Sequence, residues 1–115
     1  MDFRKFARLL DSGSISEILL TDHVKLRLKQ RNVDPKLIED LLLKRQKALR
    51  GIEHQGGNRF KLTYVHPESR GMDLYGLVIV VEARERKSKM RLTVITAFPQ
   101  PASRRIRVSE DGEKC

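Results

Sequence analysis

Apolar positions recur at helical spacing in the first third of the chain and alternate in the remainder. Phe3, Phe6, Ala7 and Leu10, with Arg4, Lys5 and Arg8 between them, predict an amphipathic first helix. Asp11-Ser12-Gly13-Ser14 stops it. Ile15, Ile18 and Leu19 suggest one or two further helical turns. Thr21 caps the next helix, and Asp22 in its first turn suits the positive end of the helix dipole. Val24 and Leu28 pack on one side of this element, Leu26 lies near the other, and Arg31-Asn32 ends it. Asp34-Pro35 is the sharpest local signal, an N-cap followed by a proline at the first helical position, where a missing N–H costs nothing. Leu37, Ile38, Leu41 and Leu42 then form one apolar stripe, and Lys44-Arg45 suits the helix C-terminus.

Beyond Ala48 the period changes. Ala48 to Glu53 reads as a first strand and His54-Gln55-Gly56-Gly57-Asn58 as a turn. Phe60, Leu62 and Tyr64 alternate with Arg59, Lys61 and Thr63, which marks a strand with one buried face and one carrying two cations and a hydroxyl. The segment from His66 to Asp73 is polar loop. Leu77-Val78-Ile79-Val80-Val81 is apolar on both faces and predicts a central strand. Arg84 to Lys89 reads as a charged hairpin loop, and Arg91 to Phe98 as the last strand, stopped by Pro99 and Pro101. Helices first and a meander of three or four antiparallel strands afterwards predict an α+β domain over residues 1–101, its helices on one face of the sheet and the other face exposed and basic. Residues 102–115, basic and then acidic with Arg104, Arg105 and Arg107, read as a frayed tail or an edge strand.

Charge narrows the list of partners. Twenty-four Lys and Arg against 15 Asp and Glu give a net charge of +9 over 115 residues, which favours a polyanion. Aromatic residues are 5% of the chain, so binding that relies mainly on base stacking is disfavoured. The single cysteine, Cys115, allows no disulfide within the chain, no apolar run is long enough to span a bilayer, and no secretory signal is visible. The expected compartment is therefore the cytoplasm.

Candidate chemistry centres on the second helix. His23 and Arg27 are four residues apart, so they stack on one face; Gln30 falls on the same side and Arg31 one turn further on. An imidazole that exchanges protons near neutral pH beside a permanent guanidinium charge suits phosphodiester cleavage. Such cleavage, without metal, uses the RNA 2′-hydroxyl as nucleophile. It needs a base, an acid and cations for the charge growing on phosphorus. His23 fits either proton role, Arg27 and Lys61 fit the phosphate, and Thr96 can donate a hydrogen bond to a phosphate oxygen. Arg31, Arg59, Arg86, Lys87, Lys89 and Arg91 are candidate RNA contacts. Each has a plainer alternative: a hydrogen-bonded helical histidine, solvated surface charge, or a β-forming threonine. Tyr64 belongs to the core. His54 and His66 sit in loops without Cys or carboxylate at ligand spacing, so neither a metal site nor a cofactor is expected.

His23-x-x-x-Arg27-x-x-x-Arg31-Asn32-Val33-Asp34, an apolar helix, and the closing Val94-Ile95-Thr96-Ala97-Phe98 together resemble a family of small uncharacterised bacterial and archaeal domains. Their pattern is His-x-x-x-Arg-x-x-x-Arg-Gly-Ile with a closing Val-Ile-Thr-Val-Tyr-like strand. Asn32 stands where that family prefers glycine, and either residue tolerates the left-handed backbone that ends a helix. Ala97-Phe98 in place of Val-Tyr removes a hydroxyl, and no role carries to that position. The resemblance spans roughly residues 20–98. It extends at fold level to the RelE, barnase and colicin-like ribonuclease toxins, and implies helices on a curved antiparallel sheet with RNA on the open face. It also implies pairing of a helical histidine with a strand hydroxyl, here His23 and Thr96. The expected function is a metal-independent endoribonuclease acting on tRNA or mRNA, with an acidic antitoxin or immunity protein as partner. The alternatives are a non-catalytic RNA-binding module and an adaptor whose basic face meets an acidic protein.

Overall fold

The computed structural model describes residues 1–44, 46–65 and 75–101. The expected 66–73 loop and the basic tail with Arg104, Arg105 and Arg107 lie outside the described residues. In chain order the elements are α1 (Phe3–Asp11), β1 (Ile15–Leu19), α2 (Asp22–Gln30), α3 (Pro35–Lys44), a short 3₁₀ turn (Gln46–Ala48), β2 (Leu49–His54), β3 (Arg59–Val65), β4 (Tyr75–Arg86) and β5 (Lys89–Pro101). The architecture is α+β, as expected, but the sheet has five strands in the order β1-β5-β4-β3-β2 and is mixed. β1 runs parallel to β5, whereas the other neighbours are antiparallel.

The expected helical turns at Ile15, Ile18 and Leu19 are β1. The physical reason is a bulge. The register with β5 shifts between Ile15 and Glu17, so Ile15 opposes Met90 and Ile18 opposes Leu92. One extra residue in a strand places positions three apart on the same face, which imitates a helical period. Gly13, at φ 70, ends α1, and the backbone N–H of Met90 donates to the Ser14 carbonyl at 2.9 Å, docking the new strand. The same device recurs twice. A shift between Leu49 and Gly51 keeps Leu49 and Ile52 on one side of β2. On β5 the shift near Ile95 lets Ala97 follow Val94 into the core.

One apolar cluster lies between the helices and the sheet. α1 contributes Phe6, Leu9 and Leu10, α2 Val24 and Leu28, and α3 Ile38, Leu41 and Leu42. The sheet contributes Phe60, Leu62 and Tyr64 from β3, Leu77, Ile79, Val81 and Ala83 from β4, and Met90, Leu92, Val94 and Ala97 from β5. The Phe6 ring stacks on Phe60 with centroids 3.9 Å apart, so truncating either ring should cost about 3–5 kcal/mol. β4 is the middle strand, as its apolar run predicts; Val78 and Val80 on its second face are buried without joining that cluster.

Arg84 to Arg86 and Lys89 are not loop. The β4–β5 hairpin stays paired to Arg86↔Lys89, and only Lys87 and Ser88 turn. Both have positive φ, 53° and 69°, the type I′ geometry whose twist matches a hairpin. β3 pairs β4 only as far as Glu82, so the hairpin end projects past β3. Lys5 of α1 reaches Glu85 at 2.5 Å and ties this end to the helical layer.

Candidate nucleic-acid interface

α2 is built as its sequence dictates. The Thr21 hydroxyl accepts from the Val24 N–H at 3.2 Å, and Val24 and Leu28 anchor the helix by burial. Asn32, at φ 57, turns the chain so that Val33 enters the core and its N–H bonds the Leu28 carbonyl at 2.9 Å. Asp34 then caps α3 by accepting from the Lys36 N–H at 2.9 Å. This leaves His23 and Arg27 exposed on one ridge. Neither side chain makes a hydrogen bond or ion pair with the described residues.

Arg31 continues the ridge, but it is half-buried and engaged. Its Nη1 donates to Thr96 Oγ1 at 3.0 Å and to the Ala97 carbonyl at 2.9 Å. The position follows from the sheet. β1 pairs with β5 only as far as Thr93, so past that point a helix, not a strand, flanks the outer edge of β5. A guanidinium suits this place because one planar fork can serve a hydroxyl and a carbonyl together. Arg31 is thus an anchor joining α2 to β5. His23 precedes it by eight residues, about 12 Å of helical rise.

The register aligns the remaining candidates on the sheet face opposite the helices. Thr96 opposes Val80, which opposes Lys61, so Thr96 and Lys61 share one row. With a strand between them they stand about 10 Å apart. Lys61 also lies 3.9 Å from Glu53 on β2, an ion pair of small worth at this exposure. Arg59 opposes Glu82. Towards the hairpin end, Arg84 opposes Arg91 and Arg86 opposes Lys89. All four point away from the helices, because the alternate pairs Ala83↔Leu92 and Glu85↔Met90 belong to the helical side. Like charges directly opposite destabilise a sheet, and this hairpin holds two such pairs in succession, with Lys87 in the turn.

The structure therefore groups Arg59, Lys61, Arg84, Arg86, Lys89, Arg91 and Thr96 on one face. Arg31 reaches the same edge from α2, and His23 and Arg27 lie further along that helix. Two participants take a place that the sequence does not show. Arg84 reads from sequence as one cation of a hairpin loop that either contacts phosphate or is solvated, and its alignment with Arg91 follows from the hairpin register. Phe98 was set aside, yet it shares the Thr96 face, two residues on, with the Arg31 guanidinium carbon 6.0 Å from its ring centre.

The remaining histidines stand elsewhere. His54 Nε2 is 2.8 Å from the Gly57 carbonyl, and its ring stacks on Phe60 at 4.5 Å, so it braces the β2–β3 turn. His66 lies outside the described residues. Among the described residues no three His, Cys, Asp or Glu side chains gather as metal ligands, and no helix is long and apolar enough to cross a membrane. No protein-family model, curated protein or solved structure matches the chain.

Proposed function

We propose that this protein acts on RNA as a metal-independent endoribonuclease of the RelE/colicin-like toxin kind, with tRNA or mRNA as substrate. The observation that supports it is the cationic face. Six basic side chains, Arg59, Lys61, Arg84, Arg86, Lys89 and Arg91, lie on the side of the sheet away from the helices, and four of them form two directly opposed like-charge pairs, an arrangement that costs a sheet stability. An RNA backbone laid along the β4–β5 hairpin neutralises those pairs. In this reading His23 takes the 2′-hydroxyl proton as the 2′-oxygen bonds phosphorus, and Arg27, one turn away, holds the phosphate. The P–O5′ bond breaks to leave a 2′,3′-cyclic phosphate and a 5′-oxygen that takes its proton from water. Arg31 and Thr96 seat α2 against the strand, and Lys61, Arg59, Arg86, Lys87, Lys89 and Arg91 bind the flanking backbone. An acidic antitoxin or immunity protein is the partner that would cover the same charge, and the cytoplasm is the matching compartment.

One observation favours a second reading, a non-catalytic RNA-binding module. The Thr96 hydroxyl already accepts a hydrogen bond from Arg31, and His23 precedes Arg31 by about 12 Å of helical rise. A single experiment separates the two. RNA is incubated with the protein in EDTA, alongside His23→Ala. Cleavage that survives chelation and disappears in the variant supports the nuclease. Binding that weakens by roughly 0.7 log units per log unit of salt for each phosphate contacted, without cleavage, supports the module. No affinity for RNA sinks both.

A further inference from the structure

We infer that Phe98, with Arg31 beside it, forms a subsite that stacks one nucleobase of a single strand lying on the cationic face. The inference rests on the RNA reading above and assigns it a contact that charge alone does not supply.

The side of the sheet away from the helices is almost wholly polar or aliphatic. Of the aromatic side chains described, Phe6, Phe60 and Tyr64 are buried in the core and Phe3 lies on α1. Phe98 is the one placed on the cationic face, by its register with Val78. It is half-buried, so the residue keeps some contact with solvent. Val78 is fully buried beside it, which gives the ring an apolar floor and a fixed position.

Arg31 completes the subsite. Its carbon stands 6.0 Å from the ring centre, the outer limit of a cation–π contact, too far to pack flat on the ring. Nη1 is held by Thr96 and the Ala97 carbonyl, which fixes the guanidinium. The other guanidinium N–H groups make no hydrogen bond to the described residues, and they can bind a base edge or a phosphate. A fixed cation beside a partly exposed ring is how proteins hold an unpaired base, since every base offers a π-face. In a duplex the bases are stacked on one another and cannot lie on the ring. The subsite therefore selects single-stranded RNA.

The test measures binding of two polyanions by calorimetry: a single-stranded oligoribonucleotide and inorganic polyphosphate, which has charge but no bases. Phe98→Leu keeps apolar volume and removes the ring; Phe98→Tyr keeps the ring. The expected result for Phe98→Leu is about 5- to 150-fold weaker binding to the oligonucleotide with polyphosphate binding unchanged, while Phe98→Tyr binds as wild type. Equal oligonucleotide binding by Phe98→Leu and wild type overturns the subsite and leaves the RNA reading standing. Equal losses on both polyanions, or a fall in melting temperature that accounts for the change, also overturn it. If the wild-type chain binds polyphosphate and not RNA, the RNA reading falls and the subsite with it.

Discussion

Replacing Arg84 by glutamate should make the protein more stable and worse at holding RNA. Arg84 stands directly opposite Arg91 on β4 and β5, on the face away from the helices. Opposed residues of an antiparallel pair have Cβ atoms about 4.5–5.5 Å apart, and a favourable or unfavourable charge pair there is worth roughly 0.2–1 kcal/mol. Arg84→Glu removes one repulsion and installs one attraction. The swing is therefore about 0.4–2 kcal/mol at low ionic strength. Both side chains retain some contact with solvent, so screening should shrink the gain towards zero in high salt. Urea unfolding at low and high sodium chloride measures both limits. The same variant loses a phosphate contact, so the slope of log affinity against log salt for single-stranded RNA should fall by about 0.7. Destabilisation at low salt would show that the paired cations do not repel. Unchanged RNA affinity and slope would show that RNA does not lie along this hairpin.

Three further substitutions probe the frame beneath that face. Tyr64 is 1% exposed and its hydroxyl has no hydrogen-bond partner among the described residues, so Tyr64→Phe should stabilise by about 1 kcal/mol in a urea melt. Burial also pushes the Tyr64 phenol above the ordinary tyrosine range. The unfolded phenol then ionises first, and stability should fall above about pH 10 by up to ~1.4 kcal/mol per pH unit, a slope that Tyr64→Phe removes. Arg31→Lys keeps the charge but loses the planar fork to Thr96 and Ala97; a loss of about 1–2 kcal/mol is expected, and a wild-type melt would deny the anchor. Ser88 sits at φ 69 in a two-residue turn, so Ser88→Gly should raise stability by about 0.5–1 kcal/mol in thermal unfolding.

Much of the fold was legible because local chemistry and tertiary packing agree. Asp34-Pro35 and Thr21 mark helix starts through hydrogen bonds made within a few residues. Phe60, Leu62 and Tyr64 alternate because one face of β3 is buried. The misreading of Ile15, Ile18 and Leu19 has an equally local cause, since a bulge gives a strand the spacing of a helix. What pairs with that strand is set 74 residues away and leaves no mark near it. The candidate site was legible as residue types and not as an arrangement. The spacing of His23, Arg27 and Arg31 gives the ridge. That Arg31 is spent on Thr96 depends on where β1 ends, and the facing cations depend on how far the hairpin stays paired. Both are properties of register, which composition does not encode.

The parallel seam between the earliest strand and the last has a kinetic consequence. During synthesis β1 has no neighbour until β5 emerges, so its edge waits while nearly all of the sheet is made. Closing so long a span is slow relative to forming the adjacent hairpins. The β3–β4 and β4–β5 ribbons should therefore assemble first, with the amino-terminal segment docking last. Hydrogen exchange during refolding should find the amides of residues 15–19 protected after those of the hairpins. Anything that captures the unpaired strand beforehand would hold the chain in an open form, its cationic face not yet backed by a finished core.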